Sequence, residues 1–206
     1  LDDLYEKHSK VRDYIEIVQI DVMDGIFVPS KSYPYKGEEL QKIDFDFEAD
    51  LMVKDPENVI EDWVKAGARR IIVHIESTER IEEVFLKIPS DVEIGIAINI
   101  TTPNEKIYPL IEKIDFVQFM GIEKIGYQGQ KFDKKVINKV KDLRKKYPNV
   151  IIQIDGGVSL NTAPKLIDAG ADRLVSGSAI WESKDIKETI KKFSSLGGTT
   201  EEPIPE

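Results

Sequence analysis

Short apolar runs alternate along the chain with longer segments whose apolar positions recur at helical spacing. Residues 3–14 are polar with helical spacing, and 15–20 read as a strand. A loop rich in turn formers spans 29–37, and the apolar run 45–53 predicts the next strand. Asp55-Pro56-Glu57 then supplies a cap and first-turn signal for an amphipathic helix that ends near Lys65, stopped by Ala66-Gly67-Ala68. The alternation continues as strand 70–75, helix 79–87, strand 93–99, helix 103–113, strand 115–120 and helix 132–146. Strand 149–154, helix 161–168, strand 172–177 and a last helix over 184–194 complete it.

Strands separated by helices imply a parallel sheet with right-handed crossovers. Lys65-Ala66-Gly67-Ala68-Arg69-Arg70-Ile71 recurs loosely as Asp168-Ala169-Gly170-Ala171-Asp172-Arg173-Leu174, a repeated unit of helix, glycine stop and strand. That repetition predicts an α/β fold of the (β/α)8 TIM-barrel type, with the first strand missing from the chain. A doubly wound sheet would want G-x-G-x-x-G after its first strand, and the sequence has none. The expected organisation is one barrel domain over 1–196 and a flexible acidic tail over 197–206.

Composition narrows the functional classes. The 206 residues are 41% hydrophobic and 33% charged, which suits one sizeable core. A formal charge of −9 argues against nucleic acid and anionic membranes as partners, although backbone amides can still bind a phosphate locally. With no cysteine there is no disulfide, no thiolate metal site and no thiol nucleophile, which fits a cytoplasmic protein. No apolar stretch approaches the ~20 residues that span a bilayer.

Two separated segments carry the candidate chemistry: Gln19-Ile20-Asp21-Val22-Met23-Asp24-Gly25 and Gln153-Ile154-Asp155-Gly156-Gly157. Each is an apolar run that reaches an aspartate, and barrels assemble active sites from strand ends at one mouth. If Asp21 and Asp155 face each other there, one can remove a proton and the other supply one, which is the chemistry of an epimerase. Gly156-Gly157 and Gly177-Ser178 follow the last two predicted strands, where barrels place phosphate between loop amides. Met23, Met52 and Met120 fall at strand ends beside these residues, where they read as an apolar cover. Asp24 is expected to hold a turn through backbone amides, His74 to be hydrogen-bonded within the mouth, and His8 to be exposed on the first helix. Trp63 reads as core, and the lysines between Lys134 and Lys146 as a solvated helix face.

The arrangement of these segments resembles the ribulose-phosphate 3-epimerase family. The resemblance runs through Asp21-Val22-Met23-Asp24-Gly25-Ile26-Phe27-Val28-Pro29, Leu51-Met52-Val53 with Pro56-Glu57, and His74-Ile75-Glu76. It continues through Gly129-Gln130-Lys131-Phe132, Asp155-Gly156-Gly157-Val158, Thr162-Ala163-Pro164-Lys165, Ala169-Gly170-Ala171-Asp172 and Ser176-Gly177-Ser178-Ala179-Ile180. It implies a (β/α)8 barrel, usually a homo-oligomer, that interconverts ribulose 5-phosphate and xylulose 5-phosphate by proton exchange at carbon 3. By this resemblance Asp21 and Asp155 are the acid/base pair, and Met23, Met52 and Met120 line the reacting centre. Gly156, Gly157, Gly177 and Ser178 match the phosphate turns, and Gly126 and Gly129 match a mobile loop above them.

The departures bear on the metal. The family binds a divalent metal through these two aspartates and two histidines, whose positions here hold Gln19 and Asp50. Gln19, Asp21, Asp50 and Asp155 offer an all-oxygen set suited to magnesium, manganese or calcium rather than zinc. The alternative is a metal-free cluster whose mutual repulsion raises a carboxyl pKa. Loss of both histidines, with Gly126-Tyr127-Gln128-Gly129 in place of the usual Gly-Phe-Gly-Gly, leaves two rivals to a pentose-phosphate epimerase. One is a non-catalytic barrel that binds phosphosugars; the other is an epimerase of a different sugar phosphate.

Overall fold

The computed structural model describes residues 2–32, 43–127 and 129–197. Seven strands form one parallel sheet in sequential order: β1 (Val18–Met23), β2 (Phe47–Met52), β3 (Arg70–His74), β4 (Glu93–Ile98), β5 (Phe116–Met120), β6 (Ile151–Asp155) and β7 (Arg173–Val175). Helices α1 (Asp2–Val11), α2 (Ile60–Ala66), α3 (Ile81–Lys87), α4 (Lys135–Lys146), α5 (Ala163–Ala169), α6 (Ser178–Trp181) and α7 (Ile186–Leu196) accompany them.

Side chains demonstrate the curl of the sheet. Laid flat, β2 and β6 would stand roughly 19 Å apart, four spacings of about 4.8 Å. Yet Gln153 Nε2 on β6 donates to Glu48 Oε1 on β2 at 2.8 Å. The strands therefore wrap around a shared interior as an incomplete barrel, with β1 and β7 as its edges.

Each strand alternates between two environments. Outward residues such as Leu51, Ile71, Ile96, Phe119 and Ile154 are buried against α2, α3, α4 and α5, through Trp63, Val84, Val140 and Leu166 among others. A smaller inner core contains Ile72, Ala97 and Phe116, with Ile151 packed on it. Phe116 fits because its neighbour is Gly95: a Cβ there would lie 2.4 Å from the ring. Gly67 and Gly170 end α2 and α5 at φ 100 and 110, so the repeated Ala-Gly-Ala phrase is one helix-stop device used twice.

The structure corrects several expected elements. The first strand begins at Val18 and runs through Asp21, which sits mid-strand rather than at its end. The helix expected over 103–113 is two 3-10 turns, Asn104–Lys106 and Tyr108–Lys113. Pro109 removes an amide donor and constrains Tyr108, so an α-helix cannot pass through. Asp55 makes no side-chain cap; it adopts a left-handed conformation at φ 51 before a 3-10 turn. His8 is half-buried and stacks on Phe45, with ring centroids 3.9 Å apart, rather than lying exposed. The lysine-rich face of α4 is not uniformly solvated. Lys139 is half-buried, its amine donating to the Thr102 carbonyl and lying 5.5 Å from the Phe119 ring centroid. Most of the loop expected over 29–37, and nearly all of the tail, lie outside the described residues.

Candidate active site

Strand register places the candidate residues. Asp21 pairs with Asp50 and Met23 with Met52 across β1 and β2, while Met120 pairs with Asp155 across β5 and β6. Curling brings the two groups together, so that Asp21, Asp50 and Asp155 each place a carboxylate oxygen within 4.8 Å of the others. Gln19 ties the cluster, its Nε2 donating to Asp21 Oδ1 at 2.9 Å and to Asp155 Oδ2 at 3.1 Å.

Three carboxylates this close disfavour full ionisation. Burial, then the charge of Asp50, pushes the Asp21 carboxyl up to about 6, against the pull of Gln19 and His74. Asp155 is pushed well above the ordinary carboxylate value by burial first and by Asp21 and Asp50 next, with Gln19 and the Gly156 amide opposing. Asp21 keeps a solvent-exposed side on edge strand β1, whereas Asp155 is half-buried. Solvent therefore tempers the effect at Asp21, and Asp155 holds its proton more strongly.

Asp50 is fully buried and fixed from two sides. His74 Nε2 lies 3.1 Å from its Oδ1, and Gln118 Nε2 donates to its Oδ2 at 3.0 Å. Burial pulls the His74 pKa down, but the charge and hydrogen bond of Asp50, with Glu76 and Asp21, outweigh it and raise the value. Behind Asp50 the network descends through the barrel. Gln153 Nε2 donates to Gln118 Oε1 at 2.9 Å and to Glu48, which pairs with Arg70 at 3.2 Å. Gln118, Gln153 and Glu48 were not among the expected site residues. Their sequence signal was a polar residue two positions before an expected site residue, and so on the same strand face: Glu48 before Asp50, Gln118 before Met120 and Gln153 before Asp155.

Loops close the mouth. Asp24 accepts from the amides of Ile26 and Phe27 and, through its other oxygen, from Lys54 at 2.8 Å. It thus joins the loops after β1 and β2, more than the single turn expected of it. Phe27 places its ring centroid 5.4 Å from that of His74. Ser30 donates to the Gly126 carbonyl, and a Cβ on Gly126 would meet Val28 at 2.7 Å, so the loops after β1 and β5 interlock. Met52 and Met120 are buried and Met23 is half-buried. Gly156 and Gly157 adopt φ 93 and 69, while Gly177 precedes α6, which begins at Ser178. The first amides of such a turn lack intrahelical acceptors. Gly129 has φ 68 with open space around it.

The cluster fits a hard divalent cation. It supplies three carboxylates, two of them with raised pKa values that a cation would relieve, and one orphaned acceptor, the buried Oε1 of Gln19. It contains no sulfur and no imidazole ligand, because His74 stands behind Asp50.

Comparison with known proteins agrees with this geometry. A profile of the ribulose-phosphate 3 epimerase family matches residues 2–181. The chain is 36% identical over 179 residues to ribulose-phosphate 3-epimerase of Schizosaccharomyces pombe, covering 84% of this chain and 78% of that protein. With the Bacillus subtilis enzyme of the same name identity is 34% over 186 residues, 86% of this chain and 85% of that one. Among solved structures, 3-hexulose-6-phosphate synthase from Salmonella typhimurium has a TM-score of 0.70 at 18% identity, covering 95% and 92%. KGPDC from Streptococcus mutans has a TM-score of 0.69 at 15% identity, covering 96% and 92%. At these identities the two structures establish the TIM-barrel architecture and nothing of the reaction. Sequence match and fold together show that this chain is a member of the ribulose-phosphate 3-epimerase family.

Proposed function

We propose that this protein, a carbohydrate epimerase by family, interconverts D-ribulose 5-phosphate and D-xylulose 5-phosphate, using Asp21 and Asp155 as paired acid and base. One observation supports the reading above the rest: carboxylates from β1 and β6 converge on a single Gln19 amide. With Asp21 ionised and the proton on Asp155, the carboxyl that holds it more strongly, Asp21 takes the proton from carbon 3. The C–H electrons move into the carbon 2 carbonyl to give an enediolate, and Asp155 delivers its proton to the opposite face of carbon 3. The pair ends with its protons exchanged, which is the form the reverse reaction needs; exchange with solvent resets it.

Met23, Met52 and Met120 surround the centre with apolar surface, which keeps water from the enediolate. Gly156, Gly157, Gly177 and Ser178 offer backbone amides to the phosphate, and the loop with Gly126 and Gly129 closes over it. A divalent cation held by Asp21, Asp50, Asp155 and Gln19 would supply positive charge to the oxygens that become negative. Magnesium or manganese suits those donors. The homo-oligomer and cytoplasmic setting implied by family resemblance belong to the same proposal. No described helix is long and apolar enough to cross a membrane.

The test follows carbon 3 of D-ribulose 5-phosphate in deuterium oxide by NMR, with and without added magnesium. The expected result is deuterium at carbon 3 with xylulose 5-phosphate formed; Asp21→Asn should lose both, and Asp155→Asn should form no xylulose 5-phosphate. Gln19 and Asp50 in place of histidines favour the rival reading, a barrel that only binds phosphosugars. Binding without exchange under either condition would establish that rival.

A further inference from the structure

The Gln19 amide is satisfied on one side only. Both hydrogens of Nε2 are committed, one to Asp21 and one to Asp155, while the buried Oε1 has no partner. Nothing favours that orientation except the charge in front of it. Turned over, the amide would give up both N–H bonds and aim a carbonyl oxygen at the ionised Asp21, which a metal-free site disfavours. A divalent cation in the cluster reverses the sign. The carboxylates then face the ion, an inward N–H becomes the repelled group, and an inward oxygen becomes a ligand. The terminal amide torsion is broad and nearly two-fold, so the turn needs no backbone movement.

We infer that the Gln19 side chain is a two-position element. Its nitrogen bridges Asp21 and Asp155 in the metal-free protein, and its oxygen joins Asp21, Asp50 and Asp155 around a hard divalent cation. The inference rests on the cation reading given above and adds a consequence to it. The ion must break two hydrogen bonds to enter, so the site binds less tightly than three clustered carboxylates would suggest. The metal-free bridged form is thus a defined state, with the acid and base already held together.

Manganese binding, read from the EPR signal of free Mn2+, and the Gln19 side-chain amide signals in a 15N–1H NMR spectrum test it. The wild type should bind at millimolar concentration or tighter. Gln19→Leu should weaken binding at least tenfold, although it removes the competing bridge, and Gln19→Glu should strengthen it. Thermal melts of both variants confirm that they fold. The Gln19 NH2 signals, assigned by their loss in Gln19→Glu, should move with saturation as diamagnetic Mg2+ is added. Equal or tighter Mn2+ binding by Gln19→Leu would overturn the inference, as would unmoved NH2 signals at saturating Mg2+ or no binding by the wild type. None of these readouts involves turnover. An enzyme that exchanges carbon 3 without binding ions removes the switch and leaves the function, and ion binding without exchange does the reverse.

Discussion

Arg70→Leu at the base of the barrel isolates a buried charge and should be costly at neutral pH. Glu48 is 3% exposed and holds two partners, Arg70 at 3.2 Å and Gln153 at 2.8 Å. Removing one member of a buried ion pair typically costs about 3–5 kcal/mol, because the other charge stays behind uncompensated. Arg70 also reaches Glu93 at 3.1 Å, but that side chain is 41% exposed and keeps Arg173 at 3.1 Å, so its share is under about 1 kcal/mol. For a domain of this size the loss corresponds to a fall in Tm of roughly 6–20 °C. The sign of the pH dependence is fixed. Burial already raises the Glu48 pKa above its ordinary value against the pull of Arg70, and losing the guanidinium raises it further. The folded variant therefore holds a proton that its unfolded chain releases above the ordinary glutamate pKa. The deficit is full at pH 7 and shrinks as pH falls toward that ordinary value. Urea titrations followed by circular dichroism at pH 7 and near pH 4.5 measure it, with the double variant Glu48→Leu/Arg70→Leu expected to regain most of the loss. A single variant within 1 kcal/mol of wild type at pH 7, or a deficit unchanged in acid, would refute the reasoning.

Gly95→Ala should destabilise by about 1–3 kcal/mol, since its Cβ enters the Phe116 ring; in urea titrations Phe116→Leu should restore part of this. The kcat/KM of the metal-free protein should rise with pH through about 6, as Asp21 ionises, and fall again at higher pH as Asp155 loses its proton. Titrating both carboxyls by carbon-detected NMR checks the assignment, and the same raised values mean that their contribution to stability falls as pH rises through that window. Gly177→Ala puts a methyl into open space. Stability should stay within about 0.5 kcal/mol, while KM for the phosphosugar rises roughly tenfold, a loss of about 1.4 kcal/mol, with kcat unchanged.

How much of this was legible depended on which side of a strand a residue faces. Outward faces announced themselves, because Ile71, Val73, Ile94 and Ile96 form apolar runs that only a covered sheet explains. The helix stops at Gly67 and Gly170 were equally plain. Inward faces were not. Glu48 and Gln153 share their strands with Asp50 and Asp155 while Gln118 stands alone, and their partners lie at sequence separations of 68 for Gln118–Asp50 and 105 for Gln153–Glu48. No local pattern encodes that, because the curl of the sheet makes the contacts. Asp21 was recognisable by its motif, although β1 continues through it. Asp50 reads in the sequence as a histidine replacement, but its pairing with His74, a residue of the neighbouring strand, emerged only from the fold. The four-residue α6 was missed because one turn carries no periodicity.

The distribution of charge explains why the mouth needs a proton or a cation. At the base, Glu48 and Glu93 meet Arg70 and Arg173, two anions against two cations. Midway, Gln118 and Gln153 carry hydrogen bonds upward without carrying charge. The arginines therefore neutralise their own level and lend little to the top, where Asp21, Asp50 and Asp155 face one buried histidine. A lysine in place of Gln118 would set a positive charge beside Asp50 and relieve part of the repulsion that raises the Asp155 pKa. Gln118→Lys tests that argument directly. The variant should lower the pKa of Asp155, shift the high-pH fall in kcat/KM downward and weaken Mn2+ binding. A Gln118→Lys protein that folds with the wild-type pH profile would show that charge balance at the mouth does not govern the proton on Asp155.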